Sequence, residues 1–289
     1  MASWRSVGAV LVLASLLVHC KNDRQPESTE RPAEISQTPV PVATPVTITA
    51  SDFKLELPDT IPAGVVTFNL VNQGKEFHHA QLFKLEDGKT MDDLAVAMKE
   101  HGPPPSWMKH LGGPNAAGPG QTITGANVLT PGNYVVLCFI PSPDGQPHVA
   151  KGMVRPFTVS GTGTEVAALP PVADTIRLVD YDFQPSRPLK AGSHTFLVEN
   201  DGPQVHELVV VKLATGKTIQ DFAAWAEHLK GPPPAESVGG VTGLDKGVAA
   251  QFTADLTPGE YGFICFVPDA KDGKPHLAHG MMKQFKVES

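Results

Sequence analysis

The chain has 289 residues, with 23 Lys and Arg against 30 Asp and Glu, a net charge of -7 at neutral pH. That balance leaves no basic footprint and argues against nucleic acid as a partner. With 28 Pro, 27 Gly and 18% charged residues, the composition points to turn-rich β-structure rather than helical bundles.

The N-terminus opens on Arg5, an apolar run from Val7 to Val18, then His19 and Cys20. That run is too short to cross a bilayer, which takes ~20 residues. A charged start and a short apolar core read as an export signal over 1–20. The stretch LLVHC resembles the lipobox of bacterial lipoproteins, with His19 where that motif carries a small residue. The resemblance implies lipidation at Cys20 and a membrane anchor in the bacterial cell envelope, facing the periplasm or exterior. An ordinary cleaved signal is the alternative. Residues 21–45 are polar and Pro-rich, which predicts a disordered tether.

From there the chain alternates β-branched runs with Gly and Pro. VTITASDFKLEL, VVTFNLVN, HAQLFKL, YVVLCFI and VRPFTV read as strands over 46–159. TIRLVDYDF, HTFLVEN, VHELVVVKL, AAQFTADL, YGFICFV and KQFKV do so over 174–289. One helix is expected in each set. Thr90 with Asp93, and Thr218 with Asp221, have capping-box spacing. Phe222, Trp225, Ala226 and Leu229 would share an apolar face, and Gly102 and Gly231 before PPP would end the helices. Trp225 and Met98 are expected in packing. Residues 160–173 form a short linker, so the two halves should touch.

The two sets are one sentence written twice. VTFNLVNQGKEFHHAQLFKL matches HTFLVENDGPQVHELVVVKL, and LTPGNY matches LTPGEY. GNYVVLCFIPSPDGQPHVAKGM matches GEYGFICFVPDAKDGKPHLAHGM. His78 and His206, His148 and His276, and Met153 and Met281 are each 128 residues apart; Cys138 and Cys265 are 127 apart. A repeat of this length is a duplicated domain, since solenoid units run ~20–50 residues.

In each copy a strand delivers the Cys to a domain edge and a loop returns His and Met to it. An upstream strand starting at His78 or His206 brings a second His. Cys, two His and a distant Met form the trigonal set with a weak axial thioether that suits copper. A Cys138–Cys265 disulfide is the rival use of the thiols; it would require strands of different domains to meet within ~7 Å. His79, His110, His194 and His279 lack counterparts and are expected at the surface or supporting the sites, with His279 placed to tune the second. His101 and His228 lie near helix ends, where a cation suits the dipole.

Both copies resemble cupredoxins, the blue copper family, through PG-x-Y-x-x-x-C followed by His and Met with a separate upstream His. The PH-x-x-x-GM ending is most similar to the loop of copper nitrite reductases. Nine residues separate Cys138 from His148 and ten separate Cys265 from His276, more than in small cupredoxins. The resemblance implies an all-β fold of two tandem Greek-key sandwiches, each with one inserted helix and one copper. It implies an electron carrier serving redox partners in the envelope, with His148 and His276 on exposed loops as electron exits. Where the family often carries Asn after the upstream His, tying the ligand loops together, this chain has His79 or Glu207. Leu137 and Ile264 stand where nitrite reductases and oxidases carry a His leading to a second centre, so no catalytic role is expected. Copper sequestration or delivery, a metal-free interaction module, and an enzyme with ligands assembled between chains are the alternatives.

Overall fold

The computed structural model describes residues 43–99, 104–161 and 168–289. The expected export signal, Cys20, His101, most of the expected tether and the middle of the expected linker lie outside the described residues, as does the side chain of Met98. Among those described, no helix is long and apolar enough to cross a membrane.

The first repeat contributes β1 (Thr44–Ser51), β2 (Lys54–Glu56), β3 (Thr60–Pro62), β4 (Gly64–Asn72), β5 (Gln81–Leu85), α1 (Met91–Lys99), β6 (Met108–Gly112), β7 (Thr122–Leu129), β8 (Gly132–Leu137) and β9 (Val154–Ser160). The second contributes β10 (Asp174–Val179), β11 (Asp182–Pro185), β12 (Gly192–Asn200), β13 (His206–Leu213), α2 (Ile219–Ala226), β14 (Ala235–Leu244), β15 (Ala249–Leu256), β16 (Gly259–Ile264) and β17 (Met282–Val287). The fold is all-β, as the turn-rich composition and alternating runs imply.

Alternation decides which face each strand buries. In β4 the residues Val66, Phe68 and Leu70 point inward between the sheets while Thr67 and Asn69 stay partly open. Runs without alternation are covered on both faces. In β13, Val210 packs in the inter-sheet core, while Val209 and Val211 pack with Ile219 and Phe222 of α2. In the first repeat Phe83, Val135 and Leu137 pack with Leu94 of α1 in the same way. Thr218 and Asp221 form the expected capping box of α2. That helix ends at Ala226 rather than at Gly231, because Leu229 takes a left-handed φ of 50°. Trp225 packs on Phe222 and on Phe77 of the first repeat, each at 5.7 Å between ring centroids.

The repeats meet through both layers. One sheet runs β11-β10-β12-β15-β7-β4-β1-β2; the other runs β17-β16-β13-β14-β6-β5-β8-β9-β3. The joints are antiparallel. Phe252 of β15 faces Gly125 of β7, and Val241 of β14 faces Pro114 just beyond β6. Both pairs are 127 residues apart, the offset between the two cysteines, so equivalent residues face each other across a pseudo-twofold axis. Around that axis Asn115 donates to Glu207, Leu208 and Val241, Gln81 donates to Gly243, and His110 pairs with Asp245 at 3.1 Å.

Two glycines permit the joint. Gly113 and Gly240 have φ of 128° and 127°, and a Cβ would stand 2.2 Å from the Ala80 carbonyl oxygen or 2.0 Å from that of Leu208. Gly240→Ala is therefore expected to cost at least about 2 kcal/mol in chemical denaturation. A loss below about 0.5 kcal/mol, the range of an ordinary surface change, would contradict the close approach described here.

Candidate metal centres

A tyrosine fixes the strand that carries each cysteine. In LTPGNY the Tyr134 hydroxyl donates to the Thr130 carbonyl at 2.7 Å and accepts from the Thr130 amide at 3.1 Å. Tyr261 does the same with Thr257. β8 and β16 then run four residues onward to Cys138 and Cys265, both buried and both free thiols, so the disulfide reading is set aside.

The PH-x-x-x-GM spacing has a backbone explanation. His148–Lys151 and His276–His279 each make a single 3-10 turn, closed by Gly152 at φ 107° and Gly280 at φ 96°. The reversal lets the Met153 amide donate to the His148 carbonyl at 3.0 Å, and the Cys138 amide donate to the Met153 carbonyl at 3.2 Å. Met281, His276 and Cys265 repeat both bonds. Each Met is fully buried in the apolar cluster that also holds its Cys.

The upstream histidines arrive on a turn built by Asn72 or Asn200. Asn72 accepts from the Gly74 amide and donates to the carbonyls of Glu76 and Ala117; Asn200 makes the corresponding bonds in the second repeat. His206 begins β13 as expected. β5 begins only at Gln81, and His78 instead makes an isolated bridge with Ala117.

These elements bring three donors together in each repeat. The Nδ1 atoms of His78 and His148 stand 3.1 Å apart, and Cys138 Sγ lies 3.4 Å from His148 Nδ1. In the second repeat the corresponding distances for His206, His276 and Cys265 are 3.0 and 3.5 Å. Ligands ~2.0–2.3 Å from one ion in a trigonal plane stand ~3.5 Å apart, so each set has room for a single ion. All six donor residues are buried. Burial pushes the Cys138 thiol up to about 12 and raises Cys265 as well. It lowers His78 and His206 and takes His276 down to about 4.

Carboxylates, which the sequence reading did not single out, hold the outer nitrogens. His78 Nε2 meets Asp52 at 2.9 Å, and His206 Nε2 meets Asp180 at 2.6 Å. Burial works to raise Asp52, but the Lys75 amide and the His78 ring outweigh it and leave it lowered. The clue was present: Asp52 and Asp180 are 128 residues apart, like the histidines they hold. Gly74 and Gly202 make the approach possible, because a Cβ at either would lie 2.7 Å from the His78 or His206 Nε2.

The loop tie survives the loss of Asn. His79 Nε2 accepts from the Phe139 amide at 2.8 Å, and Glu207 accepts from the Phe266 amide at 2.9 Å. The amides of His79 and Glu207 also point at the Cys138 and Cys265 sulfurs, at 3.4 and 3.5 Å. Full burial keeps His79 neutral down to about 3 and raises Glu207. His194 pairs with Asp174 at 3.0 Å, away from either site.

One expectation is corrected. His148 and His276 sit at 0% exposure, so neither ring offers an open edge for electron exit. Glu76 caps His148 Nε2 at 2.9 Å. His276 Nε2 has no hydrogen-bond partner and lies 3.8 Å from Asp269.

Depressed histidines carry no penalty at neutral pH, where they are neutral in both states, and destabilise the fold in acid. Below the ordinary value of ~6.5 the unfolded chain takes up protons that folded His276 and His79 refuse until about 4 and about 3. The urea midpoint of the metal-free protein should fall progressively from pH 6.5 toward pH 4, less steeply in His79→Asn, which keeps the loop tie without a titrating ring. A midpoint flat across that interval would show that the rings are not held neutral.

No family model and no curated protein matches the chain. Among solved structures it is similar to dithionite-reduced auracyanin from Roseiflexus castenholzii, at 23% identity over 42% of this chain and 100% of that one, TM-score 0.31. It is also similar to auracyanin A, a "blue" copper protein from Chloroflexus aurantiacus, at 19% identity over 40% of this chain and 99% of that one, TM-score 0.28. Copper nitrite reductase from Nitrosomonas europaea is similar at 13% identity over 85% of this chain and 94% of that one, TM-score 0.26.

Proposed function

We propose that the chain is a two-centre type 1 copper protein of the cupredoxin kind that carries electrons in the bacterial envelope. The observation that carries this reading is the pair of buried Nδ1, Nδ1, Sγ sets, repeated within 0.1 Å in their His–His and Cys–His distances. A thiolate with two imidazoles and a buried thioether nearby suits copper better than the harder divalent ions. Copper would supply the one-electron couple. The chain supplies the cage: His78 and His148, or His206 and His276, present Nδ1; Cys138 or Cys265 would lose its proton; Met153 or Met281 is buried in the same cluster as its Cys and bonded to it through the backbone.

Asp52, Asp180 and Glu76 fix ring orientation and raise ligand basicity. Complete burial of the donors favours a centre that keeps its metal through redox cycles over one that hands it on. Sequestration or delivery is the reading a competition experiment with a Cu(I) chelator would reveal. The tether and the lipid at Cys20 would hold the domains near envelope redox partners.

Adding Cu(II) to the full chain should produce an intense visible thiolate-to-copper band, with Cys138→Ser and Cys265→Ser each removing about half. A band unaffected by both substitutions would sink the assignment. Metal uptake should also release protons at neutral pH, because the Cys138 thiol is protonated up to about 12. Calorimetry in buffers of different ionisation enthalpy reads that release, and it should shrink in Cys138→Ser.

A further inference from the structure

The two repeats differ in the loop between Cys and His, which is one residue longer in the second. Asp269, Asp272 and His279 of the second repeat each bring a donor atom within 4.8 Å of the others. His279 Nε2 lies 3.2 Å from Asp272 Oδ1. Asp269 is buried and already oriented: its Oδ2 accepts from the Tyr181 hydroxyl at 2.6 Å and from Gln204 at 3.0 Å, and its Oδ1 accepts from the Lys271 amide at 2.7 Å. The Tyr181 hydroxyl and these other donors hold that carboxyl far below the usual range. Beside it stands His276 Nε2, buried, unpartnered and 3.8 Å from Asp269 Oδ2. Lys274 reaches Asp272 only at 3.7 Å and is mostly exposed.

The first repeat shows what the position wants. Ser142, Asp144 and Lys151 stand where the second repeat has Asp269, Asp272 and His279. The Lys151 ammonium lies 2.8 Å from Asp144 and over the Phe53 ring at 4.6 Å. His279 rests on the equivalent ring, Tyr181, at 5.1 Å. The first repeat thus carries its own cation at this spot. The second replaces that cation with an imidazole and adds a carboxylate.

We propose that Asp269, Asp272 and His279 form a divalent-cation site of the zinc class beside the outer nitrogen of His276. Two carboxylate oxygens and one imidazole suit a borderline ion. A positive charge held there acts where Lys151 acts in the first repeat. On the copper reading above it favours Cu(I) in the second centre and raises that centre's potential relative to its metal-free-loop form.

The test counts zinc retained by the copper-loaded full chain after dialysis against Zn(II). His279→Lys installs the residue the first repeat already tolerates on this turn, and Asp272→Asn removes a ligand from an exposed position. Each should retain one zinc fewer per chain than the native protein, and added Zn(II) should raise the potential of one copper in the native protein only. Equal zinc in native and His279→Lys protein overturns the site. The count does not depend on copper: should the visible band never form, the electron-carrier reading fails while a one-ion difference between native and variant still supports the site.

Discussion

Two ring nitrogens of the same kind, 3.1 Å apart in one repeat and 3.0 Å in the other, impose the constraint on which the rest of the molecule depends. Without something positive between them, lone pair faces lone pair, or one ring must spend its only proton there. The neighbouring thiol, held protonated by burial, can donate weakly to one Nδ1 at most and leaves the other unmet. Burying uncompensated polar groups is costly, so a sequence that does it twice in equivalent places has a reason. A cation meets it at once, turning repulsion into coordination and the thiol into a thiolate. The surroundings are consistent with that assignment: amides point at each sulfur, and carboxylates hold three of the four outer ring nitrogens.

The pseudo-twofold axis gives the pair of centres a common frame. Asn115 lies next to the axis in the first repeat yet donates to Glu207 of the second. Glu207 follows the ligand His206 and holds the amide next to Cys265. Two residues further on, Ala117 pairs with the backbone of His78 in both directions. A single three-residue stretch, 115–117, therefore touches the supports of both sites. Covalent backbone and hydrogen bonds thus join the support of one site to that of the other.

Much of this was legible in the chain because duplication supplies its own comparison. Residues kept at a constant offset, His78 with His206 or Met153 with Met281, marked the ligand set without any other sequence. Asp52 and Asp180 obeyed the same rule and were passed over, since a surface acid in a strand has so many ordinary explanations. The fate of His79 was hidden for the opposite reason. It breaks the repeat, and residue offsets do not reveal that an imidazole nitrogen and a carboxylate oxygen accept the equivalent backbone bond. The exposure of His148 and His276 was misjudged because loops normally face water; here Glu76, Asp269 and Tyr181 roof them. Gly-rich β14 was also missed, its side-chain pattern too thin to register as a strand.

The joint between β7 and β15 bears on how such a chain arises. Cut at the linker, one repeat would display the outer edges of β6 and β7, with the groups that now pair with β14 and β15 left open. A lone copy is thus an unfinished object, made whole by a twin whose matching residues already fit it. Fusion of the two halves end to end would have converted an encounter between separate molecules into a permanent embrace, and freed each half to drift: one keeping its lysine, the other trading it for a histidine.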